Sequence, residues 1–348
     1  MTDIEMVVNL HVTERCNFQC TYCFGKWGLL QESSAETTVW ADTSEAHRIM
    51  KDLAGKFRKD GGGDSSIRFN FVGGEPALLP NIDNLVKYAR SKLKTRVSYV
   101  SNGLMLRSFD AKWTARNIDI VGISVDSSFQ STNQQIGRVT RSGKTFDLAE
   151  VGMQVQAIRK EADCLGIRQP EIKVNTVVSE LNVLEDFGTV LKTIRPDRWK
   201  ILKMLPVYSA KTAISDKDFH DFAVRHRTYM HEDSNLNGLV ITTEDNDEMT
   251  GSYAMVDPLA RFFWYGDLPE SGYQYSKPMT EVSAEDAWQV AAIHWDEQKF
   301  GARYTELMDG ADVGDTTKAE VIHTAVTLPV PMPRTVEEPS ASAKLVSA

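Results

Sequence analysis

The sequence predicts an α/β fold: a partial (β/α)6 barrel with a C-terminal α+β extension and a disordered tail. Three observations carry this. Six apolar runs of strand length alternate with helix-period segments between Met6 and Met230, the pattern of a parallel sheet built from βαβ units. The conspicuous motifs fall at or near the C-terminal ends of those runs, where such folds keep their chemistry. From Gly314 onward periodicity stops, and Pro329, Pro331, Pro333 and Pro339 mark a disordered tail outside the fold.

Met6 to Val12 reads as the first strand, delivering the cysteine loop that follows. Ser44 opens a helix with Ile49, Leu53 and Phe57 on one face, closed by Gly61-Gly62-Gly63. Ile67 to Val72 is the second strand, and the next helix carries Ile82, Leu85, Val86, Ala89 and Leu93. Val97 to Val100 and Ile120 to Val125 are the third and fourth strands. Leu148, Val151, Val155 and Ile158 mark a helix, and Ile172 to Val178 the fifth strand. Asn182 is expected to cap a helix bearing Leu184, Phe187, Leu191 and Ile194, which stops before Pro196. Trp199 to Leu205 is the sixth strand, followed by a helix lined by Phe219, Phe222, Ala223, His226 and Met230. After Asn235 the rhythm breaks; Leu239 to Thr243 suits an edge strand and Glu285 to Ala292 a short helix. Residues 1–235 are thus expected to form the barrel, 236–313 the extension and 314–348 the tail.

Hydrophobic residues make up 42% of the 348 and charged residues 25%, an ordinary soluble globular balance. The net charge of −9, with no basic stripe, argues against nucleic acid or a membrane surface as partner. No run of 18 apolar residues exists, and Met-Thr-Asp-Ile-Glu is not a signal peptide. Thiols without an evident disulfide framework point to the cytoplasm.

Three of the four cysteines, Cys16, Cys20 and Cys23, are spaced C-x3-C-x2-C. Three thiolates suit three corners of an iron–sulfur cube and leave the fourth iron open to chelate a small molecule. Zinc is the competing reading, yet a structural zinc site takes four ligands, and no second C-x2-C follows. His11 would complete a Cys3His set only awkwardly from within the apolar run. A disulfide framework has only Cys164 to draw on, and that residue, ending an apolar helix, reads as an inert buried thiol. With Tyr22 before the third cysteine, the run resembles the radical S-adenosylmethionine (SAM) superfamily. The resemblance implies a 4Fe-4S cluster on the three cysteines, with SAM's amino and carboxylate groups on the open iron. It also implies reductive cleavage of SAM to a 5′-deoxyadenosyl radical.

Gly73-Gly74-Glu75-Pro76 after the second strand is, by itself, a tight turn. In a cluster-bearing barrel it resembles the element whose backbone receives SAM's ammonium, glycine permitting close approach. Ser101 and Asn102, then Ser124 and Asp126, follow the third and fourth strands, where superfamily members hold SAM's ribose and methionine. Each alone is an ordinary turn residue, so their weight rests on register with the cysteines.

A second constellation is cationic. Arg68 lies in the second strand and Arg138 follows the fourth; Lys173 and Asn175 alternate along the fifth strand, Arg198 and Lys200 along the sixth. Residues at i and i+2 share one strand face, and charges there are costly unless neutralised. Salt bridges to core carboxylates or exposure at a strand end are the plain explanation. Two such pairs on neighbouring strands also suit a polyphosphate, Arg by bidentate contact and Lys as a point charge.

Together, Asn9-Leu-His-x-Thr-x-x-Cys-Asn, Asn70-Phe-x-Gly-Gly-Glu-Pro, Val100-Ser-Asn-Gly, Ile123-Ser-x-Asp-Ser, Ile136-Gly-Arg, Lys173-x-Asn175 and Arg198-Trp-Lys200 resemble the viperin-like family of radical SAM enzymes. Glu244-x-Asn246-x-x-Met249, Ser252-Tyr253 and a weaker Glu281-Val-x-x-Glu-x-Ala extend the likeness, which covers roughly residues 6 to 310. It implies a radical-SAM barrel and a nucleotide dehydratase, converting CTP, UTP or GTP to the 3′-deoxy-3′,4′-didehydro nucleotide, an antiviral chain terminator. Gly73, Gly74, Glu75, Ser101, Asn102, Ser124, Asp126 and Arg138 would then position SAM. Arg68, Asn70, Lys173, Asn175, Arg198 and Lys200 would hold the nucleoside triphosphate, with the extension closing over it. Hydrogen would leave ribose C4′ and the 3′-hydroxyl would depart as water, assisted by a general acid for which Lys173 and Tyr304 are the candidates. An electron donor such as flavodoxin is implied. The amphipathic membrane helix and terminal Trp of the animal members have no counterpart in this sequence. The alternatives are another radical SAM reaction on a small molecule or peptide, and a non-catalytic iron–sulfur nucleotide sensor.

Overall fold

A computed structural model of the chain describes residues 5–27, 38–58, 66–206, 211–227, 236, 238–265 and 272–302, all within the unit formed by residues 1–310. Tyr304, the Gly61–Gly63 stop, Met230 and the expected tail lie outside the described residues.

Strand β1 (Met6–His11) is buried along its whole length, as a strand covered on both faces must be. It pairs in parallel with β2 (Ile67–Val72), and β3 (Arg96–Ser101), β4 (Ile120–Ser124), β5 (Glu171–Val178) and β6 (Arg198–Lys203) follow in chain order. β7 (Val240–Glu244) joins beyond β6, and β8 (Ala254–Val256) joins the other side of β1. All eight strands are parallel and form a half-barrel. The expected six-stranded core is present, with one added strand at each margin. A short antiparallel hairpin pairs Phe263–Tyr265 with Tyr273–Tyr275.

Helices cover the outer face. α1 (Thr43–Phe57) starts one residue before the expected Ser44, because Asp42 caps it by accepting from the Ser44 and Glu45 amides at 2.9 and 3.2 Å. α2 (Ile82–Lys87) continues through a wider π turn to Lys92. α3 (Ala111–Asn117) and α4 (Gln130–Ile136), too short for a periodic signal, follow β3 and β4. α5 (Leu148–Leu165) buries Val151, Val155, Ile158 and Ala162 and ends on Gly166 at φ 62°, a left-handed cap. Each buried branched residue of such a stripe contributes about 1.5–3 kcal/mol.

Two expectations fail. α6 is Gly188–Ile194 and starts behind Phe187, not at Asn182. The Asn182 amide instead donates to the Asp126 and Val177 carbonyls at 2.6 and 2.9 Å, which leaves Leu184 87% exposed. Asn182 is a buried side chain that ties two strand ends together and not the expected helix cap. Cys164 is exposed rather than buried, since it sits on the outer face in the last turn of α5. α7 (Asp216–Arg227) buries Phe219, Phe222, Ala223 and His226 as expected, and α8 (Ala284–Ala291) packs on α1. No described helix is long and apolar enough to cross a membrane.

Candidate active site

The cysteine loop leaves β1 and is held to two glycine turns chiefly by backbone hydrogen bonds, with the Thr21 hydroxyl also donating to the Ile136 carbonyl at 3.2 Å. Gly74 and Glu75 donate their amides to the Thr13 and Arg15 carbonyls at 2.7 and 2.8 Å. A Cβ on Gly74 would overlap the Arg15 carbonyl, and one on Gly137, at φ 84°, the Gln19 carbonyl. Gln19 and Thr21 donate in turn to Gly137 and Ile136, each at 2.9 Å. Glycine is required at both places so that two backbones can touch. The Gly73 and Gly74 carbonyls accept no hydrogen bond from any described residue.

Cys16 Sγ accepts from the Phe18 amide at 3.4 Å and lies 3.8 Å from Asn102 Nδ2. Burial pushes the Cys20 and Cys23 thiols up to about 11, so binding iron there must displace protons. Among the described residues no three His, Cys, Asp or Glu side chains converge as a mononuclear metal site would need. A cuboidal cluster asks for something else, one thiolate at each of three separate irons, and three cysteines on one backbone-anchored loop fit it. His11 is a packing group, its ring edge-on to Phe24, Trp27 and Phe263 at 5.8, 5.2 and 5.3 Å. Burial pushes it down to about 3.

Behind the loop, the expected cofactor residues are brought together, but their charged groups hold one another. Glu75 is fully buried; it accepts from Tyr99 OH and the Asn102 amide at 2.8 Å each, and from the Ala77 amide and Ser101 Oγ at 3.2 and 3.3 Å. Burial pushes its carboxyl above the usual range, and these four donors oppose that shift. Asp126 accepts from Arg138 at 2.8 Å, from the Val177 amide at 2.7 Å and from the Tyr22 hydroxyl. Arg138 also donates to the Ser124 and Asn102 carbonyls at 2.6 and 3.2 Å, between the Phe18 and Phe146 rings. These two networks clamp the ends of β2, β3, β4 and β5 around the loop. Replacing Glu75 by Gln puts an NH2 donor where a carboxylate oxygen had accepted, and leaves one or more of its four donors unsatisfied. The expected cost is about 2 kcal/mol or more, read as a fall in Tm; an unchanged Tm would refute the clamp.

Arg68, Lys173, Arg198 and Lys200 line a cavity of about 170 Å³ on the inner face of the sheet, with Asn9, Asn70, Glu244, Glu248, Tyr253 and Lys299. They sit in the first halves of their strands rather than at the expected C-terminal ends, and Arg138 and Asn175 are not among the lining residues. In-register pairing sets Lys173 beside Arg198 and Asn175 beside Lys200. β5 shows why those side chains point inward: Ile172, Val174, Thr176 and Val178 are buried under helices, and the alternate residues are half-buried. Three of the four strand cations meet carboxylates, as the plain reading holds. Arg68 meets Glu5 at 2.8 Å, Arg198 meets Glu171 at 2.7 Å, and Lys200 meets Glu244. Lys173 makes no ion pair or hydrogen bond among the described residues. Burial, then the nearby Lys200, Arg68 and Arg198 charges, push it down to about 7. Asn70 extends the polar floor, accepting from Ser98 and donating to Asn9 at 2.7 Å each.

Tyr253 is a site residue that the sequence marks only by resemblance, without a role. Its hydroxyl accepts from Lys200 at 2.7 Å and donates to Glu244 at 2.6 Å. Glu244 ends β7, one residue beyond the expected edge strand Leu239 to Thr243, and that strand is the signal that could have placed it in the site. Asn9, opposite Asn70 in register, could have been found from its i, i+2 relation to Val7.

The Radical SAM superfamily profile matches residues 10–174. A protein of Psychrobacter lutiphocae named S-adenosylmethionine-dependent nucleotide dehydratase is 35% identical over 307 residues, spanning 86% of this chain and 95% of its own length. The Oncorhynchus mykiss protein S-adenosylmethionine-dependent nucleotide dehydratase RSAD2 is 30% identical over 315 residues, 85% of this chain and 79% of its own. The solved structure of native anSMEcpe with bound AdoMet superposes with a TM-score of 0.58, covering 85% of this chain and 84% of that one. At 15% identity that likeness shows the shared fold.

Proposed function

The chain belongs to the S-adenosylmethionine-dependent nucleotide dehydratases of the radical SAM superfamily, and from that premise we propose that it dehydrates the ribose of CTP, UTP or GTP to the 3′-deoxy-3′,4′-didehydro nucleotide. The observation that carries this substrate is Lys173: a half-buried ammonium without an ion pair among the described residues, beside Arg68, Arg198 and Lys200 in one cavity. A triphosphate supplies the anion that this cavity lacks.

Cys16, Cys20 and Cys23 hold the cluster, and the Gly73 and Gly74 carbonyls are the acceptors for SAM's ammonium. Ser101, Asn102 and Ser124, at the ends of the third and fourth strands, are the candidates to hold SAM's ribose and methionine. Glu75, Asp126 and Arg138 act behind them, fixing the strand ends on which those groups stand. When bound, the cluster and SAM supply a 5′-deoxyadenosyl radical and, with it, removal of hydrogen from ribose C4′. The chain's own part is distance, orientation and exclusion of water. Arg68, Lys173, Arg198 and Lys200 take the phosphates, and Asn70 and Asn175 take ribose hydroxyls. Tyr253 fills the role of a C-terminal-segment tyrosine: its hydroxyl, relayed between Lys200 and Glu244, or the Lys173 ammonium gives the proton to the departing 3′-hydroxyl. A flavodoxin-type donor supplies electrons from outside.

Anaerobic incubation with dithionite, SAM and each NTP tests the reading. One NTP should stimulate 5′-deoxyadenosine release, and substrate deuterated at C4′ should pass its label to that product. Release that no NTP stimulates, or label arriving from another ribose carbon, would refute it.

A further inference from the structure

Beside the N-terminal ends of β3, β4 and β5, a separate pocket of about 240 Å³ is lined by Arg90, Arg96, Arg116 and Arg168 around a floor of Ala115, Ile118 and Pro170. It shares no lining residue with the cationic cavity. The four guanidinium groups come from four places: the π turn after α2, the start of β3, the last turn of α3 and the segment between α5 and β5. We propose that this pocket is a second anion site, which takes the phosphate group of a small phosphate-bearing molecule.

The charge balance supports it. Among the described residues Asp119 is the one carboxylate in the lining. It is committed to both hydrogen bonds from Arg90, at 2.8 and 2.7 Å, and to the Val97 amide at 2.8 Å. Arg96 reaches Glu5 at 3.1 Å, but Glu5 is shared with Arg68 of the other cavity at 2.8 Å. Arg116 and Arg168 make no ion pair or hydrogen bond among the described residues. Arg116 and Arg168 are exposed, so water and salt screen part of their mutual repulsion; because arginine does not deprotonate, a bound anion would relieve the rest. That concentration stands out in a chain of net charge −9. Guanidinium forks match phosphate oxygens two at a time. The volume falls below the roughly 300–1,000 Å³ of drug-sized pockets, which suits a phosphate or diphosphate group with the rest of its molecule outside. The apolar floor gives the anion no hydrogen-bond competitor.

Calorimetric titration of the full chain with inorganic pyrophosphate tests the site. Two binding events are expected, one in each cavity. The double variant Arg116→Gln, Arg168→Gln should weaken one event at least tenfold and leave the other, and Lys173→Ala should do the reverse. The Arg116→Lys, Arg168→Lys double variant keeps the charge without the fork and should fall between, which also serves if the Gln variant does not fold. A single event in the wild type, or two events insensitive to both double variants, would overturn the proposal. Parallel titrations with inorganic phosphate and CMP, followed in the Lys173→Ala protein, separate free phosphate from a nucleotide as the source.

Discussion

Replacing any one of Cys16, Cys20 and Cys23 by Ala is expected to bring SAM cleavage to background and to remove most iron–sulfur absorbance. The cluster has three protein thiolates to lose and no fourth cysteine nearby to substitute. Cys164 is exposed in the last turn of α5, on the outer layer, so Cys164→Ala should keep both signals. The loop itself should persist in the variants, because its anchors are backbone bonds to Gly74, Glu75, Ile136 and Gly137 and not the thiols. Far-ultraviolet circular dichroism and Tm close to wild type would separate lost chemistry from lost fold. A fully iron-loaded, active triple variant would end the radical SAM reading of the loop.

The second large effect is expected at the cation cavity. Lys173→Ala should raise the dissociation constant for the triphosphate roughly ten- to a hundredfold, the equivalent of about 1.5–3 kcal/mol for a charge-assisted contact. Lys200→Ala should do more. It also takes the cation from the Glu244 carboxylate, whose side chain is 8% exposed, leaving a negative charge bonded to the Tyr253 hydroxyl in the phosphate cavity. Adding Glu244→Gln should recover part of that loss. Iron content and SAM binding should stay near wild type in both, and the deficit should vanish for the nucleoside, which has no phosphates to grip. Unchanged affinity in both lysine variants would sink the site.

The titration of Lys173 adds a pH dependence with a definite sign. Its ammonium is the form that grips phosphate, and in the empty cavity it is held down to about 7. Bound phosphates favour the charged form and raise that value. Below pH 7 the residue is already charged and contributes no slope. Above it, binding must recruit a proton, so affinity falls by up to about tenfold per pH unit until the bound-state value is passed. Calorimetry in two buffers of different ionisation heat should show proton uptake at pH 8, and Lys173→Ala should lose that component. A wild-type affinity flat from pH 7 to 8 would refute it.

The order of strands, the cysteine spacing and the cation alternation were legible in the chain because each is a local, periodic property. Strand runs repeat every two residues, buried helix faces every three or four, and cluster ligands lie within eight residues of one another in sequence. Local reading also had its failure: Asn182 looks like a helix cap, and only its bonds to Asp126 and Val177 across two strand ends reveal what it does. α3 and α4 escaped notice because seven residues make too few turns to show a period.

Chain order alone suffices for the class of fold, the cysteine loop and the strand face shared by Lys173, Asn175, Arg198 and Lys200. Which of those charges is already neutralised was decided only in three dimensions. Glu5, Glu171 and Glu244 come from β-strand ends and their flanks, and nothing local ties them to Arg68, Arg198 and Lys200. The same holds for Glu75 and Asp126, legible as turn residues at strand ends, whose carboxylates tertiary packing commits to clamping those ends. Pairing of charges depends on distance through space, which chain order does not encode, and so Lys173 stands apart from its neighbours only once the strands are side by side.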